Sequence, residues 1–201
     1  MAEEILLSVL VPGLYERMPL GYFNGTPHVL NALQHQAKDK PVEVLTLYDN
    51  RRMSVGRKRN ILLSIAQGRY FAFCDDDDRV ADDYIDRLLD AIGKTDADVI
   101  VFDQLCTHVK EGITEFCRYG IGMDYTRTPR AKAGEFDWTG LPAHTMCWRT
   151  ETVNMVEFPE GNFGEDTSWV RGVCMMGRTE YRIEGWTGYY YDFNSERTAT
   201  R

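Results

Sequence analysis

The sequence predicts an α/β fold: a Rossmann-like, mostly parallel central sheet flanked by helices, with a smaller mixed region after it. Three observations carry this. Apolar, strand-like runs alternate with helical segments through residue 103. The runs are continuously apolar, as strands covered on both faces require. The alternation then stops, and shorter strand-like pieces follow from Gln104. Right-handed crossovers in such a sheet place ligands at the carboxyl ends of the strands.

Ile5 to Val11 forms the first strand, stopped by Pro12-Gly13. Thr26-Pro27 predicts an N-cap with proline at the first helical position, followed by Val29, Leu30, Leu33 and Ala37 on one face. Val42 to Tyr48 is the second strand, ending at Asp49-Asn50. Ser54 then caps a helix whose apolar positions are Ile61, Leu62, Ile65 and Ala66, and Gly68 stops it. Tyr70-Phe71-Ala72-Phe73-Cys74, the third strand, runs straight into Asp75-Asp76-Asp77-Asp78. A helix from about Asp82 to Ile92 and a strand from Asp98 to Asp103 complete the alternation. Farther on, a hairpin is expected around Lys110-Glu111-Gly112, and a helix after Gly164 with Trp169, Val170 and Val173 on one face. With no internal repeat, low-complexity stretch or dividing linker, residues 1–201 are expected to form one domain with a first half to about residue 103.

The 201 residues, 43% hydrophobic, suffice for a real core. Twenty-three Lys and Arg against 31 Asp and Glu give a net charge of −8, which opposes non-specific attraction to nucleic acid or anionic membrane. The five cysteines are scattered without a C-x-x-C pair, which suggests neither a disulfide framework nor a zinc site and fits reduced thiols in a cytoplasm. No apolar stretch approaches the ~20 residues of a spanning helix, so a soluble, cytoplasmic protein without an anchor is expected.

The four adjacent carboxylates repel one another, and their concentration at the mouth of a buried strand is most simply explained by a cation. Plain alternatives exist. Acidic residues before a helix favour its dipole, which suits Asp82 and Asp83 and is an option for Asp78. An EF-hand loop is disfavoured by Arg79 and Val80 after the run. A phosphotransferase with an Asp-x-Asp nucleophile would also place its pair after such a strand.

The surrounding residues decide between these. Ser54-x-Gly56-Arg57-Lys58-Arg59-Asn60, then Gly68-Arg69-Tyr70 and the strand leading into Asp75-x-Asp77-Asp78, closely resemble the nucleotide-sugar-binding half of family 2 glycosyltransferases with the GT-A fold. Ser8-Val9-Leu10-Val11-Pro12 resembles that family's opening strand and proline. Asp49 is similar to its base-contacting acidic residue, and Phe163-Gly164-Glu165-Asp166-Thr167 to its Glu-Asp motif.

The resemblance implies a nucleotide-sugar donor, UDP-sugar favoured, held by Pro12, Asp49, Arg59, Asp75 and Asp76. It implies Mn²⁺ or Mg²⁺ on Asp77 with Asp75, and Asp166 as catalytic base beside Glu165. Without the resemblance, Glu165 and Asp166 would simply begin a helix. Many relatives complete the metal site with a C-terminal histidine; Tyr189 to Ser195 contains none, so either Asp192 or Asn194 substitutes or the site is more open. His144 lies where the family shapes the sugar pocket. Arg127, Arg130 and Lys132, near Tyr125 and Trp138, form a basic stretch able to hold a polyanion, or a merely solvated loop. The expected acceptor is a glycan or lipopolysaccharide, with hydroxylated bases in DNA, as in phage DNA modification, as the alternative. A non-catalytic nucleotide-sugar-binding relative and a metal-dependent phosphotransferase are the competing classes.

Overall fold

The computed structural model describes residues 4–18, 22–23, 26–128, 136–153 and 155–193. In chain order, β1 (Leu7–Leu14), β2 (Tyr22–Phe23) and β3 (Thr26–Pro27) lead into α1 (Val29–Ala37), β4 (Val42–Asp49) and α2 (Val55–Ile65). β5 (Tyr70–Phe73), β6 (Arg79–Val80), α3 (Tyr84–Ile92) and β7 (Val99–His108) follow. The second half adds β8 (Ile113–Tyr119), β9 (Thr126–Arg127), β10 (Trp138–Gly140), β11 (Cys147–Arg149), α4 (Thr150–Val153), α5 (Glu165–Cys174) and β12 (Glu180–Phe193).

Among the described residues, ten strands drawn from both halves form one sheet, ordered β4-β1-β5-β11-β7-β8-β10-β9, with β12 paired to β7 and β6. β1 runs parallel to both β4 and β5, and β12 parallel to β7. β11 lies antiparallel between β5 and β7, so the fourth predicted strand is not the direct neighbour of the third. The expected hairpin joins β7 to β8, and Gly112 supplies its positive φ of 63°. No helix among the described residues is long and apolar enough to cross a membrane.

Other boundaries moved for identifiable reasons. β1 continues through Pro12 and Gly13, where it pairs only with β4, because its ladder with β5 ends at Leu10. A proline costs little on that unpaired edge. Thr26-Pro27 does not open the helix but pairs with Tyr22-Phe23. His28 is the N-cap instead, its Nδ1 accepting from the Leu30 amide at 3.1 Å.

The buried face of α2 also differs from the apolar one expected. Ile61 and Ile65 are exposed, while Gly56, Lys58, Arg59 and Leu62 are buried. Two cations turn inward because buried carboxylates await them, as described below.

Phe158, Trp148 and Trp169 form an aromatic cluster under the end of β5. Phe158 stacks on Trp169 at 4.5 Å and 6°, and Trp148 meets Trp169 edge-on at 5.3 Å. Each such buried ring contributes roughly 1.5–3 kcal/mol, which fixes α5 against the sheet. The loop before α5 is tied to α2. Asn60 exchanges two hydrogen bonds with the Phe158 backbone, at 2.8 and 2.9 Å, and the Gly56 amide donates to Gly161 O at 3.1 Å.

At Gly56 a Cβ would stand 2.1 Å from the Pro159 carbonyl oxygen. Helix propensity alone favours Ala by about 1 kcal/mol. The clash with fixed backbone outweighs it, so Gly56→Ala is expected to destabilise the protein by about 1–3 kcal/mol in urea unfolding.

Candidate active site

A cavity of about 920 Å³ opens beyond the carboxyl ends of β1 and β5, lined in part by Pro12, Arg17, Arg59, Asp75 to Asp78, His144 and Asp166. Its size suits a small-molecule site.

Arg59 organises it. The side chain projects from α2, is 3% exposed, and lies against the Phe73 and Phe158 rings at 5.8 and 5.5 Å. Nη1 donates to Glu165 Oε1 at 2.5 Å, and Nη2 reaches Asp75 Oδ1 at 3.0 Å and Oδ2 at 3.3 Å. The same Nη2 is 2.9 Å from His144 Nε2. His144 Nε2 also lies 3.4 Å from Asp75 Oδ2, and Nδ1 faces Asp166 Oδ2 at 3.5 Å. Burial alone would raise the Asp75 pKa, but the Arg59 charge and His144 outweigh it and hold the carboxyl well below the usual carboxylate range.

The other three aspartates are supported differently. Asp76, buried, accepts from the Leu14 amide and from Arg17 Nη1, both at 2.9 Å. Asp77 Oδ2 lies 2.9 Å from that same Nη1, so one guanidinium bridges two carboxylates. Asp78 accepts from Tyr189 Oη at 2.7 Å and from the Asp192 amide at 3.1 Å, while Tyr189 Oη itself accepts from the Asp75 amide at 3.0 Å. Burial pushes Asp78 well up, with Asp77 and Asp75 adding to it. Burial also pushes Asp77 up to about 7; Arg17 partly offsets this, and Asp76 and Asp75 reinforce it. A cavity-facing carboxylate this poorly compensated has an unmet demand for positive charge. An all-oxygen set with excess negative charge fits a hard divalent cation such as Mg²⁺ or Mn²⁺.

The expected residues divide. Pro12, Arg59, Asp75, Asp76, Asp77, His144, Glu165, Asp166 and Asp192 all line the cavity. Glu165, however, is buried against Arg59, whereas Asp166 is 38% exposed and has Oδ1 held by the Thr167 amide at 2.6 Å. Asp192 has both oxygens on Arg79, at 2.6 and 2.9 Å, so taking the place of the missing histidine requires giving up that pair. Asp49 does not line the cavity. Its Oδ2 accepts from the Arg52 and Met53 amides at 2.6 and 2.7 Å, and Oδ1 pairs with buried Lys58.

Trp138 also lies off the cavity lining, with Nε1 donating to Glu115 at 2.9 Å and Arg127 over its ring. Arg130 and Asn194 lie outside the described residues. Neither Asp78 nor Asp83 caps a helix through its side chain: Asp78 is buried under Tyr189, and Asp83 binds Trp186 Nε1 and Arg87. Cys106, His108 and Glu115 form a separate cluster in which Glu115 is already held by His108, Trp138 and Arg127.

Arg17 and Tyr189 were not among the residues that the sequence singled out. Arg17 sits on a single 3-10 turn, Tyr15–Arg17, where no periodic pattern announces a direction. Tyr189 is buried, and its hydroxyl links the Asp75 amide to the Asp78 carboxylate.

Parallel strands thus end in an acidic cavity, with a second acidic motif on a helix beside it. The model of the family described as glycosyl transferase family 2 matches residues 24–153, and the chain belongs to that family. Among solved structures, residues 1–349 of S. aureus TarS in complex with UDP-GlcNAc match with a TM-score of 0.60 at 16% identity, over 96% of this chain and 60% of that one. The same TarS segment in complex with UDP gives 0.57 at 17%, over 95% and 61%. The likeness establishes a fold of the GT-A type, and the chain spans about three fifths of the length of these structures. Comparison with curated proteins gives no sequence match.

A carboxyl raised from 3.8 in the unfolded chain to about 7 in the fold adds stability below pH 4 that is lost as pH rises through 7. Without divalent cation, Asp77→Asn is therefore expected to raise the melting temperature at pH 7.5 by several degrees, and to change it little at pH 4, in scanning calorimetry.

Proposed function

We propose that the chain transfers a sugar from a nucleotide-sugar, UDP-sugar favoured, to an acceptor hydroxyl with inversion, assisted by Mn²⁺ or Mg²⁺. One observation carries this reading: a single cavity presents an under-compensated acidic cluster and, one imidazole away, a second accessible carboxylate, Asp166. Two acidic sites answer two demands, since the departing diphosphate needs positive charge while the attacking hydroxyl must lose a proton.

Asp77, with Asp75, would hold the cation, which offsets charge on the leaving diphosphate when bound. Asp75 is kept ionised by Arg59. Asp166 takes the acceptor's proton on Oδ2, the acceptor oxygen bonds to the anomeric carbon, and the nucleoside diphosphate leaves from the opposite face. Glu165 acts through Arg59 as a positioning residue. Asp192 is left out of the ligand set because Arg79 engages it. Both halves are taken to work as one domain, a reading supported by the continuous sheet.

A glycan is the favoured acceptor. Of the basic stretch behind the DNA alternative, Arg127 is paired with Glu115, and Arg130 and Lys132 lie outside the described residues. UDP-GlcNAc, the ligand in the TarS complex, is the first donor to test. Calorimetry with UDP-GlcNAc and Mn²⁺ is expected to show binding that Asp77→Ala abolishes and Asp166→Ala retains, while Asp166→Ala lowers turnover at least about 100-fold. A phosphorylated Asp75 after turnover, or donor binding indifferent to Asp77, would contradict the reading.

A further inference from the structure

Arg17 already occupies the kind of position a cation takes. Its side chain is 8% exposed, and one nitrogen, Nη1, stands 2.9 Å from both Asp76 Oδ1 and Asp77 Oδ2. Asp76 has a second support in the Leu14 amide, and β1 holds that amide in place. The cavity-facing carboxylate, Asp77, is thus reached by a guanidinium at the point where the reading above puts a divalent cation. Two cations at contact distance repel, so the guanidinium and a divalent cation compete for that oxygen.

We propose that Arg17 is a displaceable counter-cation: it holds Asp77 while the site is empty, and releases it when a divalent cation enters together with a nucleotide diphosphate. The diphosphate oxygens supply the guanidinium with new acceptors of the same charge, and Arg forks match phosphate well. Asp76 keeps the side chain close during the exchange. Cation and nucleotide then bind cooperatively, because each relieves the cost that the other faces, and the coupling is reciprocal. This inference rests on the proposed cation role of Asp77.

The test is Mn²⁺ binding, followed by the loss of the free-ion paramagnetic resonance signal, with and without UDP. Wild type is expected to bind Mn²⁺ weakly alone and at least about tenfold more tightly with UDP, the size of an ordinary coupling. Arg17→Gln is expected to bind Mn²⁺ alone about tenfold more tightly than wild type and to lose most of the UDP enhancement. Arg17→Lys, which keeps a charge but lacks the planar fork that matches a diphosphate, is expected to fall between them and serves if the glutamine variant does not fold.

Mn²⁺ binding that depends on Asp77, yet is unchanged or weakened in the folded Arg17 variants, overturns the inference and leaves the cation site standing. Binding that is equally strong in Asp77→Asn, or undetectable in wild type with UDP, overturns both. UDP binding that needs Arg17 but no metal also overturns the exchange, since the guanidinium would then replace the cation outright.

Discussion

The architecture of the cavity depends on one buried cation. Arg59 connects the aspartate run that follows β5 to the acidic pair that opens α5, and also orients His144. Its position follows from constraints on both sides. Asn60 locks the loop at Phe158, and Gly56 lets that loop approach the helix closely. A guanidinium buried this deeply is tolerable only when its charge is met, and here two carboxylates and two aromatic faces meet it. The two acidic motifs therefore do not sit together by chance of folding; they share a counter-ion.

The cluster itself is arranged at a cost. Asp75 and Asp76 each have a cationic partner, Asp78 relies on a phenol and an amide, and Asp77 shares Arg17 with its neighbour. Such asymmetry separates roles among chemically identical side chains. Asp75 stays ionised, Asp78 is drawn toward its neutral form, and Asp77 titrates near neutrality. Groups whose environments drive their pKa values apart are a common mark of functional sites.

Much of this was legible in the sequence. Continuous apolar runs gave the strands their burial, Ser54 capped α2 as expected, with its Oγ accepting from the Arg57 amide, and the acidic run fell at the end of a buried strand. The lost details share a cause: periodicity reports which residues are apolar, not which polar residues will be buried as pairs. Hence Lys58 and Arg59 turned inward where Ile61 and Ile65 were expected. Asp49, Asp192 and Trp138 likewise each hold an intramolecular partner, supplied by a residue distant in sequence or by a turn, that periodicity does not announce. β11 entered the sheet between two parallel strands because only three residues were needed there, too few to show a pattern.

The central claim is that Arg59 and Glu165 act as one unit holding the two acidic motifs in register. A double-mutant cycle on stability, with Arg59→Met, Glu165→Gln and the pair, tests it most directly. Removal of Arg59 alone strands buried carboxylates and is expected to cost about 3–5 kcal/mol. The account predicts that the double variant is more stable than the sum of the two losses implies, by about 2 kcal/mol or more. Losses that add to within about 0.5 kcal/mol would mean that the two side chains are independent, and would contradict it.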